Sequence, residues 1–268
     1  VTTVLNSEYK NRGLDELWKE EPALFGHQAG DVFPLLTKII DAQNDLSVQV
    51  HPDDAYGLAH EKELGKTECS YILSADPGAT IIYGHTAQTK EELKAAIEAG
   101  NWSQLLTEIE VKAGDFFYVP SGTIHALGSG VMVLETQQSS DTTYRLYDYD
   151  RLDDEGNLRE LHIQKSIDVT TVPAVENPVE PVTTTAGNSE LTTLVSNEFF
   201  TVFDWKISGL TSFVQESYYT LVSVIDGTGR LIIDNQTYEI KKGEHFILPN
   251  GIQEWSFDGN LHLIASHP

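Results

Sequence analysis

The chain has 268 residues, of which 40% are hydrophobic and 22% charged, so a sizeable core in one large or two small domains is expected. Its 41 acidic and 17 basic residues give a formal net charge of -24, which argues against nucleic acid as a partner because phosphate contacts need clustered Lys and Arg. The charge also disfavours an anionic membrane surface, and no apolar run approaches the roughly 18 residues of a membrane helix. The single cysteine, Cys69, leaves no internal disulfide and fits a reducing compartment, so we expect a cytoplasmic protein.

In chain order, most of the sequence is typical of short strands that are rich in β-branched and aromatic residues and separated by Gly, Pro and Asp. The predicted strands are 46–51, 79–83, 116–119, 131–135, 201–207, 213–225, 230–233, 237–240, 245–248 and 261–265. Helices are predicted at 14–24, 53–64, 89–100 and 101–107. Many short strands with turn signals between them predict an all-β sandwich or jelly roll.

Residues 173–189 contain three prolines, a threonine run and little periodicity, which is typical of a linker. This segment divides the chain into a larger N-terminal domain at 1–172 and a smaller C-terminal domain at 190–268.

An internal repeat supports this division. Residues 114–125 fit the pattern G-x5-P-x-G-x2-H, and residues 243–254 fit the same spacing with Glu254 in the histidine position. In each copy a glycine turn precedes an apolar strand, which ends at a proline and a second glycine turn. The pattern therefore predicts two copies of one β-sandwich, of which only the first keeps an imidazole, at His125.

Four polar residues in the N-terminal half are candidate metal ligands. Gln49 and His51 are two apart on a predicted strand, so their side chains leave the same face. Glu68 follows a Gly-Lys-Thr turn, and His125 ends the first repeat. Two imidazoles, a carboxylate and an amide oxygen would suit a divalent cation, with Zn²⁺ a good candidate and Fe²⁺ and Mn²⁺ as alternatives. The competing interpretation is that His51 lies in a surface loop and that Glu68 is solvated.

Basic residues are scarce, so those near these candidates are informative. Lys66 is two residues before Glu68 and points to the same side if the segment is extended. Arg145 comes soon after the strand that follows His125, and it either has a functional role or pairs with one of the carboxylates around it. Several other residues show no partner pattern and are interpreted as structural: Cys69, His60, His85, His162, His245, His262 and His267.

Four motifs occur together in this chain. They are Val48-Gln-Val-His-Pro-Asp-Asp54, Gly65-Lys-Thr-Glu68, Val119-Pro-Ser-Gly-Thr-Ile-His-Ala126 and Leu134-Glu-Thr-Gln-Gln-Ser-Ser-Asp-Thr-Thr-Tyr-Arg145. In combination they resemble type I mannose-6-phosphate isomerase (phosphomannose isomerase) in its short bacterial form, from about Leu14 to the C-terminus. The resemblance implies a mainly β protein with two cupin jelly-roll domains, the first catalytic with a small helical insertion at about 86–109, the second degenerate. Family members usually begin with a W-G-G type motif that this chain lacks, so we expect an N-terminal segment to be missing.

The resemblance also implies the site. One Zn²⁺ per chain would be held by Gln49, His51, Glu68 and His125. The implied reaction interconverts mannose 6-phosphate and fructose 6-phosphate, so the partner is a small phosphorylated sugar. Lys66 and Arg145 would be the catalytic residues, with Lys66 as acid or base and Arg145 on either the phosphate or the enediolate.

Two other function classes remain as alternatives. A metal-dependent cupin dioxygenase would favour a His-x-His pair and a redox metal, whereas Gln49 holds the first of those positions. A non-catalytic sugar-binding cupin would suit the ligand-free second copy, but not the complete ligand set and Arg145 of the first.

Overall fold

The computed structural model describes residues 2–152, 155–176 and 179–268, and over these residues the protein is mainly β. Within the described ranges, no helix is long and apolar enough to cross a membrane. The helices are α1 (Leu14–Glu20), α2 (Asp54–His60), α3 (Lys90–Glu98), α4 (Trp102–Leu105) and α5 (Ile163–Val169), and Pro22–Phe25 is a 3₁₀ turn. The first strands are β1 (Leu35–Ala42), β2 (Val48–Val50), β3 (Glu68–Ala75), β4 (Thr80–His85), β5 (Leu106–Glu110), β6 (Phe116–Val119), β7 (His125–Leu127), β8 (Val131–Gln138) and β9 (Tyr144–Tyr147). They are followed by β10 (Val182–Ala186), β11 (Ser189–Ser196), β12 (Thr201–Ser208), β13 (Thr211–Val214), β14 (Thr220–Ile233), β15 (Gln236–Lys241), β16 (His245–Leu248) and β17 (Glu254–His267).

The chain divides into two compact units. The first unit is Leu36–Pro178, and the second unit combines Val179–Pro268 with Val1–Leu35. This division corrects the expectation that residues 1–172 form one domain, because the N-terminal residues belong with the C-terminal part of the chain.

An aromatic cluster in the second unit explains that correction. Trp18, Phe25 and Phe33 pack against one another and against Tyr219, with ring centroids 5.3–6.5 Å apart. All four residues are buried, and aromatic pairs contribute about 0.5–1.5 kcal/mol each beyond their area burial. A partner this far along the chain leaves no local signal in the sequence around α1.

Two expected segments also differ in detail. The expected linker at 173–189 contains β10, which pairs with β11 from Val182 to Ala186, while Asn177 and Pro178 lie outside the described residues. The expected helical insertion at 86–109 contains α3 and α4, but its last residues form β5. The helix predicted at 89–100 is found as α3, which begins with a side-chain cap: the hydroxyl of Thr89 accepts a hydrogen bond from the backbone N–H of Glu92.

The first unit is a sandwich of two antiparallel sheets. One sheet has four strands in the order β1-β8-β3-β6, and the other has five in the order β5-β4-β7-β2-β9. Side chains from both sheets, among them Ile72, Ile81 and Val133, pack into one buried cluster. Full burial of such a side chain contributes about 1.5–3 kcal/mol, so this cluster holds the two sheets face to face.

Alternation along the strands directs polar side chains into this sandwich. Val48 and Val50 of β2 pack on the outer side of the five-stranded sheet, in a cluster with apolar residues of α3 and α5. Because successive residues leave opposite faces of a strand, Gln49 points into the sandwich. His125 of β7 and Arg145 of β9 pair with Gln49 in register and therefore share its face.

The repeat predicted from the sequence is confirmed in the backbone. β6 and β16 each begin two residues after a glycine with positive φ, +91° at Gly114 and +87° at Gly243. β7 and β17 begin at the last residue of each repeat, which is His125 in the first unit and Glu254 in the second. His125 is buried and Glu254 is exposed, so the two copies share a strand–turn–strand motif but differ in what it presents.

The second glycine of each repeat offers a matched test of this packing. Gly122 and Gly251 have φ of +83° and +100°. A Cβ at Gly122 would lie 2.4 Å from Thr171 Oγ1 and 3.0 Å from Val169 O, whereas a Cβ at Gly251 would meet no described atom within 4 Å. We expect Gly251→Ala to lower the free energy of unfolding by about 1–2 kcal/mol, the cost of a left-handed residue, and Gly122→Ala to lower it by more. Equal losses in denaturant unfolding would contradict the packing argument.

Candidate metal centre

Three buried side chains converge on one point in the first unit. His51 follows β2 directly, Glu68 begins β3 and His125 begins β7. One ligand atom of each lies within 4.8 Å of the other two, and the residues are 1%, 1% and 7% exposed. Burying an ionised carboxylate is costly unless opposite charge compensates it, so Glu68 needs cationic partners.

Backbone carbonyls fix the tautomers of both imidazoles. His51 Nδ1 lies 3.0 Å from Thr142 O. His125 Nδ1 lies 3.0 Å from Thr123 O. Each Nδ1 therefore carries a proton and donates a hydrogen bond to its carbonyl. Nε2 of both rings then faces the Glu68 carboxylate, with nitrogen–oxygen distances of 3.5 Å for His51 and 2.9 Å for His125. His51 Nε2 is buried and has no hydrogen-bond partner among the described residues. Two such rings and a carboxylate are a donor set that fits a divalent cation.

Burial and charge set the protonation of this cluster. Burial lowers the pKa of His51 to about 4, against a smaller opposing effect of the Glu68 charge, so the ring is neutral near pH 7. Burial raises the pKa of Glu68, but the two histidines together outweigh it and hold that pKa well below its usual value. Burial lowers the pKa of His125, but Glu68 outweighs it and the pKa is raised. Glu68 is therefore ionised, and its negative charge favours the protonated form of His125.

Gln49 and Lys66 join the same cluster, as the sequence predicted. The amide nitrogen of Gln49 lies 3.3 Å from His125 Nε2. Because an amide can turn over to exchange its nitrogen and oxygen, the Gln49 oxygen can take this position beside the His125 imidazole. Lys66 Nζ lies 3.2 Å from Glu68 Oε2, and Lys66 is 5% exposed. The structure thus brings five of the six expected site residues into one contact network.

Arg145 lies further along the same face. β9 pairs with β2 and β2 pairs with β7, so the strands of Arg145 and His125 are roughly 10 Å apart. Arg145 Nη1 donates to the Glu160 carbonyl at 2.9 Å. Arg145 Nε is buried and has no hydrogen-bond partner among the described residues. A buried guanidinium donor without a protein partner suits an anionic ligand.

Sequence reasoning missed a second ion pair inside the sandwich. Lys38 Nζ on β1 lies 3.0 Å from Glu135 Oε1 on β8. Burial raises the pKa of Glu135, and the charge of Glu68 raises it further. The alternation of side chains along β8 could have revealed this buried carboxylate. Val131, Val133 and Glu135 are two residues apart, so Glu135 shares one strand face with two buried valines.

Comparisons with known proteins identify the family of this chain. The family model for the type I phosphomannose isomerase catalytic domain matches residues 1–72, and the model for the mannose-6-phosphate isomerase cupin domain matches residues 190–268. Mannose-6-phosphate isomerase of Streptococcus mutans is 58% identical over 267 residues, which are 100% of this chain and 84% of that protein. Mannose-6-phosphate isomerase ManA of Bacillus subtilis is 52% identical over 272 residues, with 99% and 85% covered. The chain belongs to the type I phosphomannose isomerase family.

Solved structures of this family support the fold. A crystal structure of mannose 6-phosphate isomerase from Bacillus subtilis matches with a TM-score of 0.96 at 48% identity, covering 99% of this chain and 85% of that one. A mutant phosphomannose isomerase from Salmonella typhimurium matches with a TM-score of 0.77 at 16% identity, covering 97% and 86%, which is a likeness of fold alone. The expected mainly β fold of the cupin type is confirmed.

The pKa of His51 predicts how the chelated protein responds to acid. The pKa of His51 is about 4 in the folded state, against 6.5 for a free histidine side chain, so the unfolded chain binds a proton at a higher pH than the folded chain does. The stability due to the neutral ring is complete above about pH 6.5 and is lost as the pH falls toward about 4. Between pH 6 and pH 5 we expect the free energy of unfolding to fall by about 1 kcal/mol.

The measurement is denaturant unfolding of the chelator-treated protein at the two pH values. His51→Asn is the control and should flatten the pH dependence, because the titrating group is gone. Equal stability of the unsubstituted protein at pH 6 and pH 5 would contradict the neutral, buried assignment of His51.

Proposed function

We propose that the chain is a metal-dependent aldose–ketose isomerase that interconverts mannose 6-phosphate and fructose 6-phosphate. The observation that carries the proposal is the buried convergence of His51, Glu68 and His125 in a chain 58% identical over its whole length to a named mannose-6-phosphate isomerase. The substrate is a small phosphorylated sugar, and the net charge of -24 argues against nucleic acid or an anionic membrane as a further partner. The buried free thiol of Cys69 is compatible with a cytoplasmic location.

The proposed cofactor is one Zn²⁺ per chain, held by His51, Glu68 and His125 with Gln49 as the fourth ligand. The support is the donor set of two imidazoles, one carboxylate and one amide, with no thiolate. A bound divalent cation supplies a Lewis acid for the sugar carbonyl oxygen. The carbonyls of Thr142 and Thr123 hold the two rings in the ligating tautomer.

The reaction moves one proton between C1 and C2 of the open-chain sugar. A base removes the proton from C2 of the aldose, and that electron pair forms the C1–C2 double bond of the enediolate while the carbonyl electrons move to O1. A proton then moves from O2 to O1, and an acid returns a proton to C1 to give the ketose with its carbonyl at C2. Lys66 is proposed for this acid–base work, because its side-chain nitrogen is buried at the cluster beside Glu68, and it would act as a base in its amine form and as an acid in its ammonium form. The enediolate carries negative charge in a site that excludes water, where preorganised cations are most effective.

Arg145 is proposed to stabilise that enediolate rather than the phosphate. It shares the inner face of the five-stranded sheet with Gln49 and His125, and its buried Nε has no hydrogen-bond partner among the described groups. Together with Lys66 it forms a positive region in a strongly acidic chain, which selects an anionic sugar.

The two alternative functions gain no support. A cupin dioxygenase would favour a histidine in the position of Gln49, and a purely sugar-binding cupin would not need the buried ligand set beside Lys66. The two relatives from Streptococcus mutans and Bacillus subtilis are both named mannose-6-phosphate isomerases, and their alignments cover 100% and 99% of this chain.

The variant Arg145→Lys tests the function and the role of Arg145 together. A lysine keeps the charge but not the planar fork, so we expect kcat for fructose 6-phosphate formation from mannose 6-phosphate to fall about 10²- to 10³-fold, with KM changed much less. A coupled assay measures both constants. A loss confined to KM would assign the arginine to the phosphate instead.

Arg230→Lys is the matched control, because Arg230 is exposed in the second unit and pairs with Asp258. This variant should keep the activity of the unsubstituted chain. Wild-type kcat/KM in Arg145→Lys would remove the proposed role of Arg145. Failure of the unsubstituted, zinc-loaded chain to form fructose 6-phosphate would contradict the proposed function itself.

A further inference from the structure

β9, the strand that carries Arg145, has one open edge. It is the last strand of the five-stranded sheet, paired on its inner side with β2 through Gln49. An edge strand leaves alternate N–H and C=O groups without a strand partner. At Arg145 these two groups are taken by one residue, because His162 N donates to Arg145 O at 2.8 Å and Arg145 N donates to His162 Nδ1 at 3.1 Å.

The same short segment also holds the side chain of Arg145. Arg145 Nη1 donates to the carbonyl of Glu160 at 2.9 Å. Main chain and guanidinium are thus both fixed by residues 160–162, and this leaves the buried Nε unengaged by any described residue. Residues 160–162, called the clamp below, therefore fix both the backbone position of Arg145 and the direction of its guanidinium.

The clamp is anchored at both ends. On one side Arg159 makes hydrogen bonds through Nε and Nη2 to the Asp148 carboxylate, just beyond β9. On the other side His162 is followed directly by α5, whose Ile167 is buried in the outer cluster of the sheet. Lys90 Nζ donates to the carbonyl of Ile167 at 2.6 Å at the end of that helix. Residues 160–162 therefore have little freedom to move away from β9.

We propose that His162 is a positioning residue for Arg145, with its Nδ1 completing the open edge of β9 so that the guanidinium is held ready for the anionic reaction intermediate. This rests on the proposed role of Arg145 in isomerisation. The bond requires an unprotonated Nδ1 at 3.1 Å, which places the ring proton on Nε2. The role is specific to an acceptor at the δ position, since a side chain of the same shape without one would leave the Arg145 N–H unpaired.

The experiment compares His162→Leu with His162→Asn in the full, zinc-loaded chain. Leu and Asn have nearly the same shape, but only Asn places an acceptor oxygen where Nδ1 lies. We expect His162→Leu to lower kcat about 10- to 100-fold, because a displacement of about 1 Å at a catalytic group has that effect. His162→Asn should retain most of the activity. Zinc content should equal that of the unsubstituted chain in both, because His162 is remote in sequence from the ligands and contacts none of them among the described hydrogen bonds.

The same substitution made in the Arg145→Lys variant separates a positioning role of His162 from a general structural effect. In Arg145→Lys the precise fork is already lost, so adding His162→Leu should reduce kcat by less than about 2-fold. If His162→Leu does not fold, His162→Gln replaces it, since it keeps a polar side chain but moves the acceptor away from the δ position. Its loss of kcat should match the loss expected for leucine.

Three results would overturn the proposal. Unchanged kcat in His162→Leu, or in His162→Gln if that variant is used, would show that the ring does not position Arg145. Equal losses in the leucine and asparagine variants, or the same fold-loss in the Arg145→Lys background, would show a structural role only. In each of these cases a large loss in Arg145→Lys alone leaves the proposed role of Arg145 standing. A silent Arg145→Lys removes that role and the positioning proposal with it, whereas only an inactive unsubstituted chain would contradict the proposed function.

Discussion

The first unit depends on the compensation of one buried carboxylate. Glu68 is ionised in the interior of a β-sandwich, where an isolated charge would cost several kcal/mol or more. His51, His125 and Lys66 surround it within 2.9–3.5 Å. Because the Nδ1–H of each imidazole donates a hydrogen bond to a backbone carbonyl, the Nε2 atom that faces Glu68 has its lone pair available to ligate a cation. The contacts that compensate the buried charge of Glu68 thus also form the proposed metal site.

Strand alternation is what brings these groups together. One face of the five-stranded sheet is apolar and covered by α3 and α5, and the other carries Gln49, His125 and Arg145 toward the second sheet. Inside the sandwich, an apolar cluster around Ile72 and Val133 holds the sheets, and the polar residues occupy the rest. The second unit uses the same glycine-bounded strand pair, but its interior is an apolar cluster and Glu254 faces outward. Among the described residues, a cluster that could hold a metal is therefore found only in the first unit.

Features with local signals were predictable from the sequence. The predicted strand 116–119 is found as β6, the glycine spacing of the repeat reappears in the backbone, and the side chains of Gln49 and His51 converge as their spacing indicated. Features that depend on distant partners were not. β9 has four residues and α5 has seven, and their conformation depends on packing against β2 and on each other. His162 had no pattern of its own because its partner is 17 residues away.

Titration of activity with metal tests the central claim most directly. The chelated chain is supplied with increasing Zn²⁺ while fructose 6-phosphate formation from mannose 6-phosphate is followed. Activity should rise linearly and stop at about one ion per chain, as a single closed set of ligands requires. Glu68→Gln should give no rise, and Glu254→Gln, its counterpart in the second unit, should behave as the unsubstituted chain. Full activity before zinc is added, or a plateau at two ions, would contradict an isomerase whose single site is built around Glu68.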